Sequence, residues 1–183
     1  SENLHVWLGS VVAVMLLWSM DAGLADGLQM HLIGATVLTL MFGWAFAALA
    51  MVLVVVGTTL HAGEGWAALP INALVLGILP VLVSHGLFRL VDRRLPNHFF
   101  IYIFVCAFFG AGLAMGSVGL ASLGVHQLAH VYSSEYVNYN YFRYLPLLIF
   151  PEAFVSGMLM TVFVLYRPQW VATFDDARYL RNH

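Results

Sequence analysis

Residues 4–20, 68–90, 99–125 and 144–166 are apolar almost without interruption, and each run is long enough to cross a bilayer. A helical span needs about 17–25 such residues to traverse a hydrocarbon core of roughly 30 Å. Lipid offers no partner to backbone N–H and C=O groups, so runs of this kind fold as helices packed side by side. Composition agrees, with 62% hydrophobic and 9% charged residues, where a soluble domain is roughly half apolar and a quarter charged. The chain therefore reads as all-α, a polytopic transmembrane helical bundle. Residues 1–183 form a single membrane domain, with 167–183 as its tail. The first run lacks the basic flank and small-residue cleavage site of a signal peptide, so it counts as a span.

A fifth apolar run, 28–60, is too long for one crossing, since a helix of that length would reach about 50 Å. Phe42-Gly43-Trp44 is its natural break. The expected result is a short helix over 29–42 and a second over 44–60. With the split there are six crossings, and without it five; six is the favoured count. All seven basic residues are arginines. Arg89, Arg93 and Arg94 share one connection, and Arg167, Arg178 and Arg181 share the tail. The excess of basic residues in cytoplasmic segments puts both on the inner side. The connections 123–143 and 61–67 are then external, and the split places the N-terminus inside. The net charge of −2 gives no reason to expect a nucleic-acid partner. One cysteine, Cys106, provides neither a disulfide nor a CxxC metal site.

Ionisable side chains in spans are costly and mark ligand, ion or electron paths. Five of the eight histidines, His31, His61, His85, His126 and His130, lie in or at the edges of the apolar runs. The arginine-based orientation places His31, His61, His126 and His130 near external helix ends and His85 low, near the arginines. His126 and His130 are four apart and share a helix face, a spacing at which two imidazoles can hold one metal. No Glu lies between them, so a third ligand comes from elsewhere, with Glu135, Glu152 and His31 as candidates. The plainer alternative is a polar helix end leading into a tyrosine-rich interfacial belt. Glu152, within Phe150-Pro151-Glu152-Ala153-Phe154, is an acid inside a span, and His126 or His130 is its expected partner. A bond to backbone loosened by Pro151 is the alternative. Residues 61–72 are either a re-entrant loop, tolerated only where protein covers it, or a surface turn. Gly110, Gly112, Gly116 and Gly119 mark a helix-packing face. His5, His98 and His183 read as interfacial or tail residues. No phosphate-binding glycine loop occurs, so any ATP-driven step needs another subunit.

The run His31-Leu32-Ile33-Gly34-Ala35, the break at Gly43-Trp44, and the stretch from Gly63-Glu64-Gly65-Trp66 through Pro70-Ile71-Asn72 together resemble the CbiM/NikM family. Its members are substrate-binding membrane components of cobalt and nickel energy-coupling-factor transporters. The specific part of the likeness covers about a third of the chain and reaches Arg89. Residues 90–178, with Pro151-Glu152-Ala153-Phe154, look like an outlying branch labelled energy-coupling-factor permease. The resemblance implies a multi-pass protein of a bacterial inner membrane, C-terminus cytoplasmic, working with other membrane subunits and a cytoplasmic ATPase component among membrane lipids. It also implies that His31, the histidine of an H-x-x-G motif, is a metal ligand, and that 61–72 resembles the loop positioning the family's N-terminus. The family's remaining ligands come from an N-terminal Met-His pair. This chain opens Ser-Glu-Asn, and His5 is not the equivalent. The His126/His130 pair lies outside the family pattern, which leaves a truncated N-terminus, a lost site and a rebuilt one as the alternatives.

Three functions follow as expectations. The first is a transport component taking a divalent transition metal at the external face, nickel or cobalt by resemblance and copper or zinc by imidazole chemistry, with His31, His61, His126, His130 and Glu152 as the metal residues. The second is a membrane redox subunit in which opposed histidines hold haem. The third is a structural or assembly subunit whose metal site is lost. None requires the chain itself to be an enzyme.

Overall fold

A computed structural model of the chain describes residues 2–19, 22–25, 28–30, 32–63, 65–128, 145–175 and 179. The chain enters through α1 (Glu2–Ser19), followed by two short antiparallel strands, β1 (Ala22–Ala25) and β2 (Leu28–Met30). Ala22 pairs with Met30 and Gly23 with Gln29. A half-length helix α2 (Ala35–Phe42) then gives way to α3 (Trp44–Ala62). Three more long helices follow: α4 (Trp66–Arg94), α5 (Phe99–Leu128) and α6 (Leu145–Tyr166). A 3-10 turn, Pro168–Trp170, opens the tail. With α3 to α6 long and apolar enough to cross a membrane, the chain is an all-α polytopic membrane bundle.

The expected break is present at Gly43, and it reverses the chain. Gly43 has φ 79° and ψ 166°, a region that essentially only glycine occupies. Its N–H still bonds Thr39 O at 2.9 Å, and its carbonyl accepts from Ala47 N at 3.0 Å, so both helix ends close across it. Contacts with α1 establish the direction. Trp18 Nε1 donates to Ile33 O at 3.3 Å, whereas Trp7 Nε1 donates to Phe46 O at 3.1 Å. Gly57, further along α3, is packed against Met15. Hence α2 runs opposite to α1, and α3 runs beside α1 in the same sense. One expectation needs correction. The short helix begins at Ala35 rather than near residue 29, because 28–30 pair as a strand and Gly34 takes a left-handed φ of 72° at the N-cap. Of the two readings left open for 61–72, the exposed turn fits, with helix on either side of it. Gly63 and Gly65 adopt φ 73° and 85°, His61, Ala62 and Trp66 are exposed, and helix resumes at Trp66.

Proline and glycine account for part of the remaining backbone. Pro80 cannot donate to the preceding turn, and α4 widens to π-helix over Ala73–Ile78 just before it. The glycine face of α5 packs as expected. Gly112 meets Ile149 and Ala153 of α6, Gly119 meets Leu145, and Gly110 meets Leu87 and Thr36. Gly157 of α6 reciprocates by admitting Phe108. Large apolar side chains such as Leu74, Phe104 and Leu147 face outward, as lipid-facing positions should. The bundle thus has two distinct ends. One carries Phe42–Trp44, Arg93, Arg94, Arg167 and the tail; the other carries Ser19, Ile33-Gly34, His61 and His126.

Candidate functional site

The histidine-bearing end is organised around Glu152. Its side chain is 3% exposed, and both carboxylate oxygens accept backbone donors from a segment more than a hundred residues away. Oε2 accepts from Ile33 N at 2.8 Å, and Oε1 accepts from Gly34 N at 2.9 Å. These donors open α2, where an anion is favoured by the helix dipole as well as by the bonds themselves. A buried carboxylate needs that compensation, because desolvating it alone is prohibitive. Gly34 supplies the turn that aims both N–H groups at one carboxylate, and it lies against Val14 of α1, with 3.4 Å to Cγ2 from an added Cβ. Trp18 holds the Ile33 carbonyl from the other side. The segment leading into α2 is thereby fixed by α1 and α6 together.

Among the described residues the partners of Glu152 are the N–H groups of Ile33 and Gly34, rather than His126 or the backbone beside Pro151. His31 lies outside the described residues, two positions before Ile33 in sequence. His130 and Glu64 also lie outside them. His126 stands half-buried in the last turn of α5, with Nδ1 2.7 Å from Ser122 O. His61 is exposed in the last turn of α3. Among the described residues no three His, Cys, Asp or Glu side chains gather into a metal-holding group. His85 sits toward the opposite end, its ring 6.2 Å from that of Trp44. His98 caps α5, its Nδ1 accepting from Phe100 N at 3.2 Å.

Two features went unseen in the sequence. Thr36 and Ser84, both almost fully buried, join α2 to α4 with hydroxyls 2.7 Å apart. The tail closes the other end of α2. Ala172 N donates to Met41 O at 2.8 Å and Thr173 N to Leu40 O at 3.3 Å, and Thr173 Oγ1 donates to Leu40 O at 2.7 Å. Glu152 and Gly34 each stood out in the sequence; only the rule that acids favour helix N-termini could have linked them. No comparable signal marked Thr173.

Span-length helices, lipid-facing apolar side chains and a buried acid clamping a broken helix define a multi-pass membrane protein built around an internal polar joint. The family model for the cobalt uptake substrate-specific transmembrane region, CbiM, matches residues 2–170, and the chain belongs to that family. No curated protein and no solved structure matches it. The chain is thus a membrane component of the cobalt-uptake family, with a transition metal as substrate.

Proposed function

We propose that the protein captures a divalent cobalt or nickel ion at the histidine-bearing end, on the outer side of a bacterial inner membrane, and passes it inward with an ATPase partner. His31 is the central ligand, with His61, His126 and His130 as the other histidines available there, and Glu152 orders the segment from behind. The observation that carries this reading is the pair of Glu152 bonds to Ile33 N and Gly34 N. It fixes Ile33 and Gly34, the segment that follows His31 in sequence. The arginines Arg93, Arg94 and Arg167 at the other end support that end as the cytoplasmic one. Imidazole suits cobalt and nickel alike, and a site with an open position can exchange its ion.

The test is metal analysis of the full-length, detergent-purified protein after cobalt loading, comparing wild type with His31→Ala. One cobalt per chain in wild type and none in the variant is the expected result. Wild type emerging without cobalt would overturn the reading, and stoichiometric iron with a Soret band would replace it with the redox subunit.

A further inference from the structure

Both ends of α2 are held by one continuous stretch of chain. Glu152 of α6 takes the donors at its start. The tail that continues from α6 takes the carbonyls of Leu40 and Met41 at its finish. Between these grips α6 rises about 21 Å, from Glu152 to its last residue. An eight-residue helix is marginal on its own, so α2 depends on these grips and on its burial, which takes in every residue except Phe42. The tail grip is itself built in. Thr173 Oγ1 spends its single proton on Leu40 O, so Tyr102 OH is the donor in the 2.7 Å bond between the two hydroxyls. Phe174 is buried against Tyr102 and Tyr179, with ring centroids 5.1 and 4.9 Å away.

We propose that residues 171–174 form a latch whose seat on the end of α2 sets the affinity of the substrate site at the other end, with Thr173 as the positioning residue. This rests on the reading of His31 and the segment beside it as the ion site. With the latch seated, α2 is fixed along its axis, Gly34 stays on Glu152, and the ion is held. With the latch lifted, the carbonyls of Leu40 and Met41 lose their donors. The start of α2 then slackens against Glu152, and the ion is released. The latch lies at the arginine-bearing end, where a subunit driving transport can reach it.

Calorimetric titration of the full-length protein with cobalt chloride tests this in wild type, Thr173→Val, Tyr102→Phe and Thr161→Val. The last loses a hydroxyl-to-carbonyl bond of 2.7 Å confined to α6, so it controls for loss of a hydroxyl as such. Thr173→Val is expected to weaken cobalt binding about fivefold or more, the lower bound for coupling between sites. Tyr102→Phe shifts it the same way by less, and Thr161→Val leaves it unchanged. Linkage is reciprocal, so saturating cobalt must slow amide hydrogen exchange at residues 172 and 173 of the wild type. That arm decides the matter alone if Thr173→Val does not fold. Wild-type affinity in folded Thr173→Val, or exchange at 172 and 173 indifferent to bound cobalt, overturns the latch and leaves the proposed function standing. Failure of wild type to bind cobalt overturns both.

Discussion

Replacing Glu152 separates two opposing effects of a buried acid. An ionised carboxylate is expensive to desolvate, yet Glu152 satisfies two N–H groups that otherwise have no helical acceptor. Each buried donor left without a partner costs about 1–3 kcal/mol. With bonds of 2.8 and 2.9 Å to Ile33 N and Gly34 N, Glu152→Ala should lose about 2–6 kcal/mol, twice that single-donor cost. Such a loss is a large share of the roughly 5–15 kcal/mol that holds a typical domain folded. Glu152→Gln keeps one acceptor but turns an amide N–H toward the second donor, so it should fall between alanine and wild type. Glu152→Leu restores bulk without an acceptor and should be about as unstable as alanine. The assay is unfolding in detergent, followed by tryptophan fluorescence across the four proteins. A Glu152→Leu variant as stable as wild type, or more so, would refute the reasoning, because relief of desolvation would then outweigh the lost bonds.

Gly43 and Gly34, two of the four described glycines at positive φ, should both resist substitution. Gly43→Ala introduces no contact within 4 Å, so its expected loss of about 1–3 kcal/mol is conformational. Gly34→Ala, at a left-handed φ of 72°, should cost about 1–2 kcal/mol, and a thermal ramp showing either variant as stable as wild type contradicts the reasoning. For the Thr36–Ser84 bond, Thr36→Val should cost about 0.6 kcal/mol, the mean for hydrogen bonds between membrane helices. A double-mutant cycle with Ser84→Ala checks it, and a coupling above about 2 kcal/mol would show more than one bond at stake. His61→Ala, at an exposed position, should leave unfolding within about 0.5 kcal/mol of wild type while reducing retained cobalt; unchanged retention removes His61 from the ligand set.

Local chemistry made much of this protein legible. Each long span announces itself in consecutive apolar residues, because lipid forces every backbone bond to close within its own helix. The break at Gly43, the packing role of Gly112 and Gly119, and the family likeness in 31–35 and 63–72 were likewise local in sequence. The start of α2 was misjudged because apolar character continues back through Leu32 and Ile33. Their conformation is decided by Glu152 and by the turn at Gly34 rather than by their own helical preference.

The sequence by itself therefore determined a membrane helix bundle, its breaking point and its ancestry, since these follow from hydropathy and short motifs read along the chain. Only the tertiary structure decided that Glu152 serves the backbone before α2, 119 residues away in the case of Ile33. It alone decided that Thr173 closes the other end of α2, 133 residues from Leu40. The physical reason is that a carboxylate accepts from, and a hydroxyl donates to, whichever partner packing brings to it. In a membrane interior that partner comes from neighbouring helices, whose arrangement no local pattern encodes.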